Sequence, residues 1–224
     1  MRIAELFYSV QGEGALIGVP SFFIRTSGCN LRCSWCDTPY TSWQPEGTEI
    51  ALDRILDEVR VHPARHVVVT GGEPMIAPEI VPLTQRLRDD GLHITIETAG
   101  TVFAPVACDL MSISPKLANS TPNDVTWAPR HERLRIQPDV LAELMSRYAY
   151  QLKFVISRRE DLDEVRALIS AFPGSRDHVI LMPEGTDRDT LRERGVWLAQ
   201  LCKEEGFRFS PRLHVELWGN QRGV

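Results

Sequence analysis

No stretch of this sequence approaches the ~18–20 uninterrupted apolar residues that a membrane-spanning helix needs, so no bilayer crossing is expected. The opening residues, MRIAELFYSVQGEG, lack an apolar run closed by small residues, so they do not read as a secretory signal. Basic charge is in short supply. The 25 Lys and Arg against 30 Asp and Glu leave a formal charge of −5, where a general nucleic-acid binder carries a basic face. Internal repeats, low-complexity tracts and long charge runs are missing too. Cysteine is scarce and odd in number, yet three of the five fall within eight positions. Such crowding points to metal or redox chemistry in a reducing compartment rather than to disulfides. These absences predict a soluble, cytoplasmic protein with neither nucleic acid nor membrane as partner. At 224 residues and 43% hydrophobic content, one domain spanning 1–224 is the expectation.

Short apolar runs alternate with segments of helical period. Candidate strands are Ser21–Arg25, His66–Thr70, Leu92–Glu97, Asp109–Ile113, Gln151–Ile156 and His178–Met182, each short and mostly apolar, as suits parallel strands covered on both faces. Leu52, Ile55, Leu56 and Val59 share one helical face. The same holds for Leu162, Val165, Leu168, Ile169 and Phe172, and for Leu191, Leu198, Leu201 and Cys202. Asp53, Asp161 and Asp187 or Asp189 are plausible caps or first-turn residues. Repeated βα units imply an α/β fold with right-handed crossovers. About six parallel strands make an incomplete, TIM-like barrel with its helices outside. The polar, proline-bearing segment 117–135 reads as a long loop.

Functional residues in such folds gather at the C-terminal ends of strands. Cys29, Cys33 and Cys36, spaced Cys-x3-Cys-x2-Cys, lie just past the first candidate strand. Three thiolates can hold a [4Fe–4S] cluster and leave one iron open to a chelating ligand. Structural zinc wants four ligands, usually in two pairs, and no second Cys/His pair follows. Cys108 and Cys202 sit in apolar surroundings and read as core. After the next strand comes Thr70-Gly71-Gly72-Glu73-Pro74, whose double glycine permits close backbone approach and whose Glu73 can accept from an ammonium.

The cysteine spacing, the aromatic Trp35 before the last cysteine and the Gly-Gly-Glu-Pro element resemble the radical S-adenosylmethionine (SAM) superfamily. Within it, the chain resembles the 7-carboxy-7-deazaguanine synthase family along its whole length. The resemblance rests on Phe7-Tyr8-Ser9-Val10-Gln11-Gly12-Glu13-Gly14, Arg25, Asp37-Thr38, Glu97-Thr98, Ser114-Pro115-Lys116, Leu213-His214 and Trp218-Gly219. It implies a lyase of queuosine and 7-deazapurine biosynthesis, the pathway of a tRNA modification. That enzyme contracts the ring of 6-carboxy-5,6,7,8-tetrahydropterin to 7-carboxy-7-deazaguanine with loss of ammonia. A deoxyadenosyl radical from SAM would start the reaction, and Mg2+ would assist. The resemblance places Val10, Gln11, Gly12, Glu13, Arg25, Thr70, His214 and Val224 at the substrate, and Thr38 at Mg2+. It places Trp35, Cys36, Asp37, Gly72, Glu73, Glu97, Ser114, Pro115, Lys116, Pro183 and Glu184 at SAM. It also implies a homodimer, a flavodoxin or ferredoxin as electron donor, and a pocket closed by residues 1–20 and 207–224. Met182 and Ala99 depart from the family's usual Gln and Asn, which removes polar side chains on the SAM side. A glycyl-radical activating enzyme and a non-catalytic Fe–S or zinc-binding protein are the rival readings.

Overall fold

A computed structural model describes residues 1–224. In chain order its elements are β1 (Arg2–Val10), β2 (Pro20–Thr26), α1 (Pro39–Ser42), β3 (Thr48–Glu49), α2 (Leu52–Arg60), β4 (His66–Gly71), α3 (Ile80–Asp89), β5 (His93–Thr98), β6 (Leu110–Ile113), α4 (Ala128–Leu134), α5 (Pro138–Arg147), β7 (Tyr150–Ile156), α6 (Asp161–Ser170), β8 (Val179–Pro183), α7 (Arg188–Glu205), β9 (Arg208–Phe209) and α8 (Leu213–Trp218). One sheet of nine strands runs in the order β3-β1-β2-β4-β5-β6-β7-β8-β9. From β2 to β9 every neighbouring pair is parallel, whereas β1 pairs antiparallel with both β2 and β3. The two edge strands do not meet, so the sheet is an open, partial barrel.

The six expected strands are all present, and β1 adds a seventh long one that the sequence reading left as an N-terminal strand or loop. Each parallel strand is two-sided. Phe22 and Ile24, Val67 and Val69, Ile94 and Ile96, Met111 and Ile113, Leu152 and Phe154 pack outward into one helix-covered core. The residues between them face inward, because successive side chains of a strand point to opposite faces. The strand register aligns these inner residues across the sheet: Arg25 with Thr70, Glu97 with Ser112, Ser112 with Gln151. A layer of polar side chains thus lines the concave face of an otherwise apolar sheet.

The expected helices form at α2, α6 and α7. Asp187 caps α7 by accepting from the Thr190 N–H at 2.9 Å, and Gly206 ends it with φ of 72°. Asp53 falls in the first turn of α2 after Ala51. Asp161 opens α6 and accepts from the backbone of Ser157 and Arg158. Segment 117–135 is not an unbroken loop: it holds a turn at Ala118–Ser120 and then α4. Asp124 accepts from the Thr126 and Trp127 N–H groups in the turn that leads into that helix. The only fully buried residue of α4 is His131, so the helix lacks the apolar stripe that would have announced it. Cys108 and Cys202 are buried in the core, as expected.

Candidate active site

The cysteine loop follows β2 and is stitched to the loop after β4. Gly28 N–H donates to Thr41 O at 2.9 Å, and Glu73 N–H donates to Gly28 O at 2.9 Å. A Cβ on Gly72 would lie 2.2 Å from Gly28 O and 2.8 Å from the Cys29 Cβ, so only glycine lets these two loops touch. Gly72→Ala is therefore expected to push the cysteine loop away and to lower iron retention. Iron and sulfide content after anaerobic reconstitution checks this, and a wild-type content would contradict it.

Burial pushes the Cys29 and Cys33 thiols up to about 12, so each stays protonated until a positive centre binds it. Cys29, Cys33 and Cys36 stand together on the loop after β2, and three thiolates can bind three irons of a cubane.

A cavity of about 440 Å³ opens over the C-terminal ends of the parallel strands. This falls within the range typical of small-molecule sites. It gathers Val10, Gln11, Gly12, Glu13, Arg25, Thr38, Thr70, Glu97, His214 and Val224 with Trp35, Asp37, Gly72, Ser114, Lys116, Pro183 and Glu184. Cys29, Cys33, Cys36, Glu73 and Pro115 are not on its wall. For Glu73 the reason is plain. Its carboxylate is fully buried, accepts from the Met75 and Ala99 N–H groups and from Thr98 Oγ1 at 2.7 Å, and so ties β4 to β5. That side chain thus braces the glycine pair from behind the cavity wall.

Two residues that the sequence reading missed dominate the electrostatics. Lys153 projects inward from β7 and Arg212 precedes α8, both nearly inaccessible to solvent. Lys153 pairs with Glu13, while Arg212 binds Glu13 at 3.0 Å and also Asp37, and donates to Gly185 O. Burial opposes ionisation of Glu13, but Lys153 and Arg212 outweigh it and hold the carboxyl well below the usual range. Burial is likewise outweighed at Asp37, where Arg212 holds the carboxyl down. Folded-state values below unfolded ones contribute stability that is present above about pH 4.5 and is lost as pH falls further. The thermal midpoint is expected to drop on acidification from about pH 6 to about pH 3, and Glu13→Gln to shrink that drop. An unchanged drop in the variant would rule this network out as its source.

Around this pair the polar layer is cross-linked. Glu97 accepts from Gln11 Nε2 at 3.2 Å and from Thr70 Oγ1 at 2.9 Å, so three expected site residues form one unit. Arg25 is held by Glu5 at 2.7 Å and lies over the Phe7 ring, which stacks on Phe23 at 4.8 Å. Tyr40 donates to the same Glu5 carboxylate. A Cβ on Gly12 would collide with His214 Nδ1, so this glycine admits the imidazole against the backbone. Burial pushes the His214 pKa down, and the ring is neutral near pH 7. Lys116 donates to Ser114 Oγ at 2.8 Å and lies over the Trp35 ring. Leu213 N–H donates to Gly12 O, and Gly14 N–H donates to Ser210 Oγ, which brings N- and C-terminal segments together at the cavity mouth.

Comparison with known proteins agrees with this geometry. Residues 23–119 match the radical SAM superfamily model. The chain is 45% identical over 234 aligned residues to the 7-carboxy-7-deazaguanine synthase of Halobacterium salinarum, covering 98% of this chain and 91% of the relative. It is 44% identical to the enzyme of that name from Rhodopirellula baltica, covering 100% and 89%. The crystal structure of QueE from Escherichia coli superposes with a TM-score of 0.70 at 26% identity, covering 95% and 94%. Streptococcus suis SuiB shares the fold at a TM-score of 0.56 and 14% identity, over 84% of this chain and 47% of SuiB. These full-length matches do not favour the activating-enzyme or binding-protein readings. The chain is a radical SAM enzyme and belongs to the 7-carboxy-7-deazaguanine synthase family.

Proposed function

We propose that this enzyme converts 6-carboxy-5,6,7,8-tetrahydropterin into 7-carboxy-7-deazaguanine with loss of ammonia. The observation that carries this reading is the ionised Glu13 beside Gln11 on the inner polar layer, an acceptor pair suited to the N–H edge of a pterin. Arg25 is a planar cation that can grip the substrate carboxylate bidentately. Thr70 is already oriented by Glu97, and Val10 and Gly12 offer backbone groups beside it. His214 would meet the substrate as a neutral imidazole, with Val224 lining the same pocket. Cys29, Cys33 and Cys36 would hold the [4Fe–4S] cluster, which with bound SAM supplies the radical that starts the reaction.

On the cofactor side, Trp35, Cys36, Asp37, Gly72, Glu73, Glu97, Ser114, Pro115, Lys116, Pro183 and Glu184 would hold SAM. Glu97 also fixes two substrate-side residues, Gln11 and Thr70. Thr38 lines the cavity next to the cysteine loop, where its hydroxyl and the substrate carboxylate can share a hard Mg2+ ion that keeps waters as its other ligands. Residues 1–20 and 207–224 would close the pocket over one catalytic domain spanning 1–224. The enzyme would act as a homodimer in the cytoplasm, with flavodoxin or ferredoxin as reductant. No helix is long and apolar enough to cross a membrane.

The test is an anaerobic assay of reconstituted, dithionite-reduced protein with SAM, Mg2+ and the carboxytetrahydropterin, read by mass spectrometry. Formation of 7-carboxy-7-deazaguanine is the expected result. Release of 5′-deoxyadenosine without that product would overturn the substrate assignment and leave the SAM chemistry standing.

A further inference from the structure

None of residues 117–135 lines the cavity, yet the segment makes four hydrogen bonds with the cysteine loop. Arg32 N–H donates to His131 Nδ1 at 3.2 Å, and Ser34 N–H donates to Ser120 O at 2.8 Å. Ser34 Oγ donates to Asn119 O at 3.3 Å, and Trp35 Nε1 donates to Asn119 Oδ1 at 3.2 Å. Arg32, Ser34 and Trp35 are three of the five spacer residues between the cysteines, so each gap of the motif is gripped from outside.

The segment is rigid in turn. Asn119 Nδ2 donates to Val155 O at 3.0 Å and to Asp161 Oδ2 at 2.7 Å, which anchors it to the end of β7 and the start of α6. His131 is inaccessible to solvent, and its Nε2 lies 2.8 Å from Ser120 Oγ. With Nδ1 accepting from Arg32, Nε2 carries the proton and donates to Ser120 Oγ, which itself donates to Leu117 O at 2.6 Å. Every hydrogen in this relay is accounted for by a neutral ring. Burial pushes the ring down to about 4, in keeping with that state. Outside, Arg32 stacks over Trp127 at 4.2 Å while donating to the carbonyls of Cys29 and Leu31.

We propose that residues 117–135 splint the cysteine loop, with His131 as the positioning residue that sets the backbone between Cys29 and Cys33 for cluster binding. The inference rests on the cluster reading above and adds a role for residues distant from the reacting atoms. Outer residues that orient metal ligands commonly change metal retention about 10- to 100-fold when lost.

The test uses the reconstituted protein and three variants. His131→Leu removes the Arg32 acceptor at similar size, His131→Asn offers a side-chain oxygen near the place of Nδ1, and Asn119→Ala cuts a different contact of the same splint. The measurements are iron content, the rate of iron loss to a chelator, the electron paramagnetic resonance spectrum of the reduced cluster, and the thermal midpoint of the apo chain. His131→Leu is expected to lose iron about 10-fold faster with an altered spectrum, and His131→Asn to recover most of the retention. Wild-type loss rates and an unchanged spectrum in both His131→Leu and Asn119→Ala would overturn the splint. So would an apo midpoint that falls equally in His131→Leu and His131→Asn while iron loss tracks it, because the effect would then be general unfolding. If His131→Leu does not fold, Asn119→Ala alone decides, by the same rate and spectrum. A wild-type chain that takes up no iron would refute the cluster reading itself, an outcome distinct from these.

Discussion

Cys33→Ala is expected to abolish both iron binding and SAM cleavage while leaving the fold in place. The cysteine loop supplies three thiols, and no other Cys, His, Asp or Glu cluster stands ready to replace one. A cubane held by two thiolates loses iron readily, because each Fe–S ligand bond is a large share of its binding free energy. The apo fold has little stake in the side chain: Cys33 is small, and its buried surface is worth about 1 kcal/mol. Its backbone is held independently, since Trp43 Nε1 donates to the Cys33 carbonyl at 3.0 Å. The expected result is a colourless protein with a wild-type circular dichroism spectrum and no 5′-deoxyadenosine after reduction. A brown, SAM-cleaving variant would refute the ligand assignment.

Arg212→Leu should cost more stability than any other single change at the cavity. Arg212 is one cation serving two carboxylates, Glu13 and Asp37, and a carbonyl, Gly185 O. Removing one partner from a buried ion pair strands charge in a poorly solvated site, at about 3–5 kcal/mol. Lys153 still compensates Glu13, and the Asp37 side chain retains 39% of its solvent exposure, so a loss near about 3 kcal/mol is expected. Denaturant titration of the apo protein measures it. A loss below about 1 kcal/mol would mean that water already screens the network. The KM for the pterin should rise in step, because Glu13 would no longer be fixed. Arg212→Lys keeps the charge but not the fork, and should recover part of the stability and little of the KM.

How much of this was legible in the sequence depended on which interaction wrote the signal. The parallel strands and helices α2, α6 and α7 announced themselves because burial against a core imposes periodicity. The cysteine spacing and the glycine pair did so because few other residues can replace a thiolate or fit beside Gly28 O. Lys153 and Arg212 were missed for an opposite reason. Lys153 sits inside Gln151–Ile156, a run read as mostly apolar, although its alternation of Gln151, Lys153 and Val155 with Leu152, Phe154 and Ile156 marks an inner face. Arg212 meets Asp37 and Glu13 only through the fold, 175 and 199 residues away along the chain. Glu73 was legible as a motif position, whereas its hydrogen bonds to the backbone around Ala99 and Met75 are written only by the fold. Helix α4 gave no apolar period because its one buried residue is a histidine.

The two-sided strands carry a consequence for how such a protein changes over generations. Outward residues such as Phe154 are constrained by volume, whereas their inward neighbours such as Lys153 are constrained by charge, and the sheet keeps the two sets out of contact. Substitutions on opposite faces are therefore close to additive, so the inner set can be rewritten for another molecule without renegotiating the core. A scaffold divided in this way separates the inheritance of shape from the inheritance of chemistry. Lineages that diverge on the inner face keep a common outline long after their sequences have drifted apart.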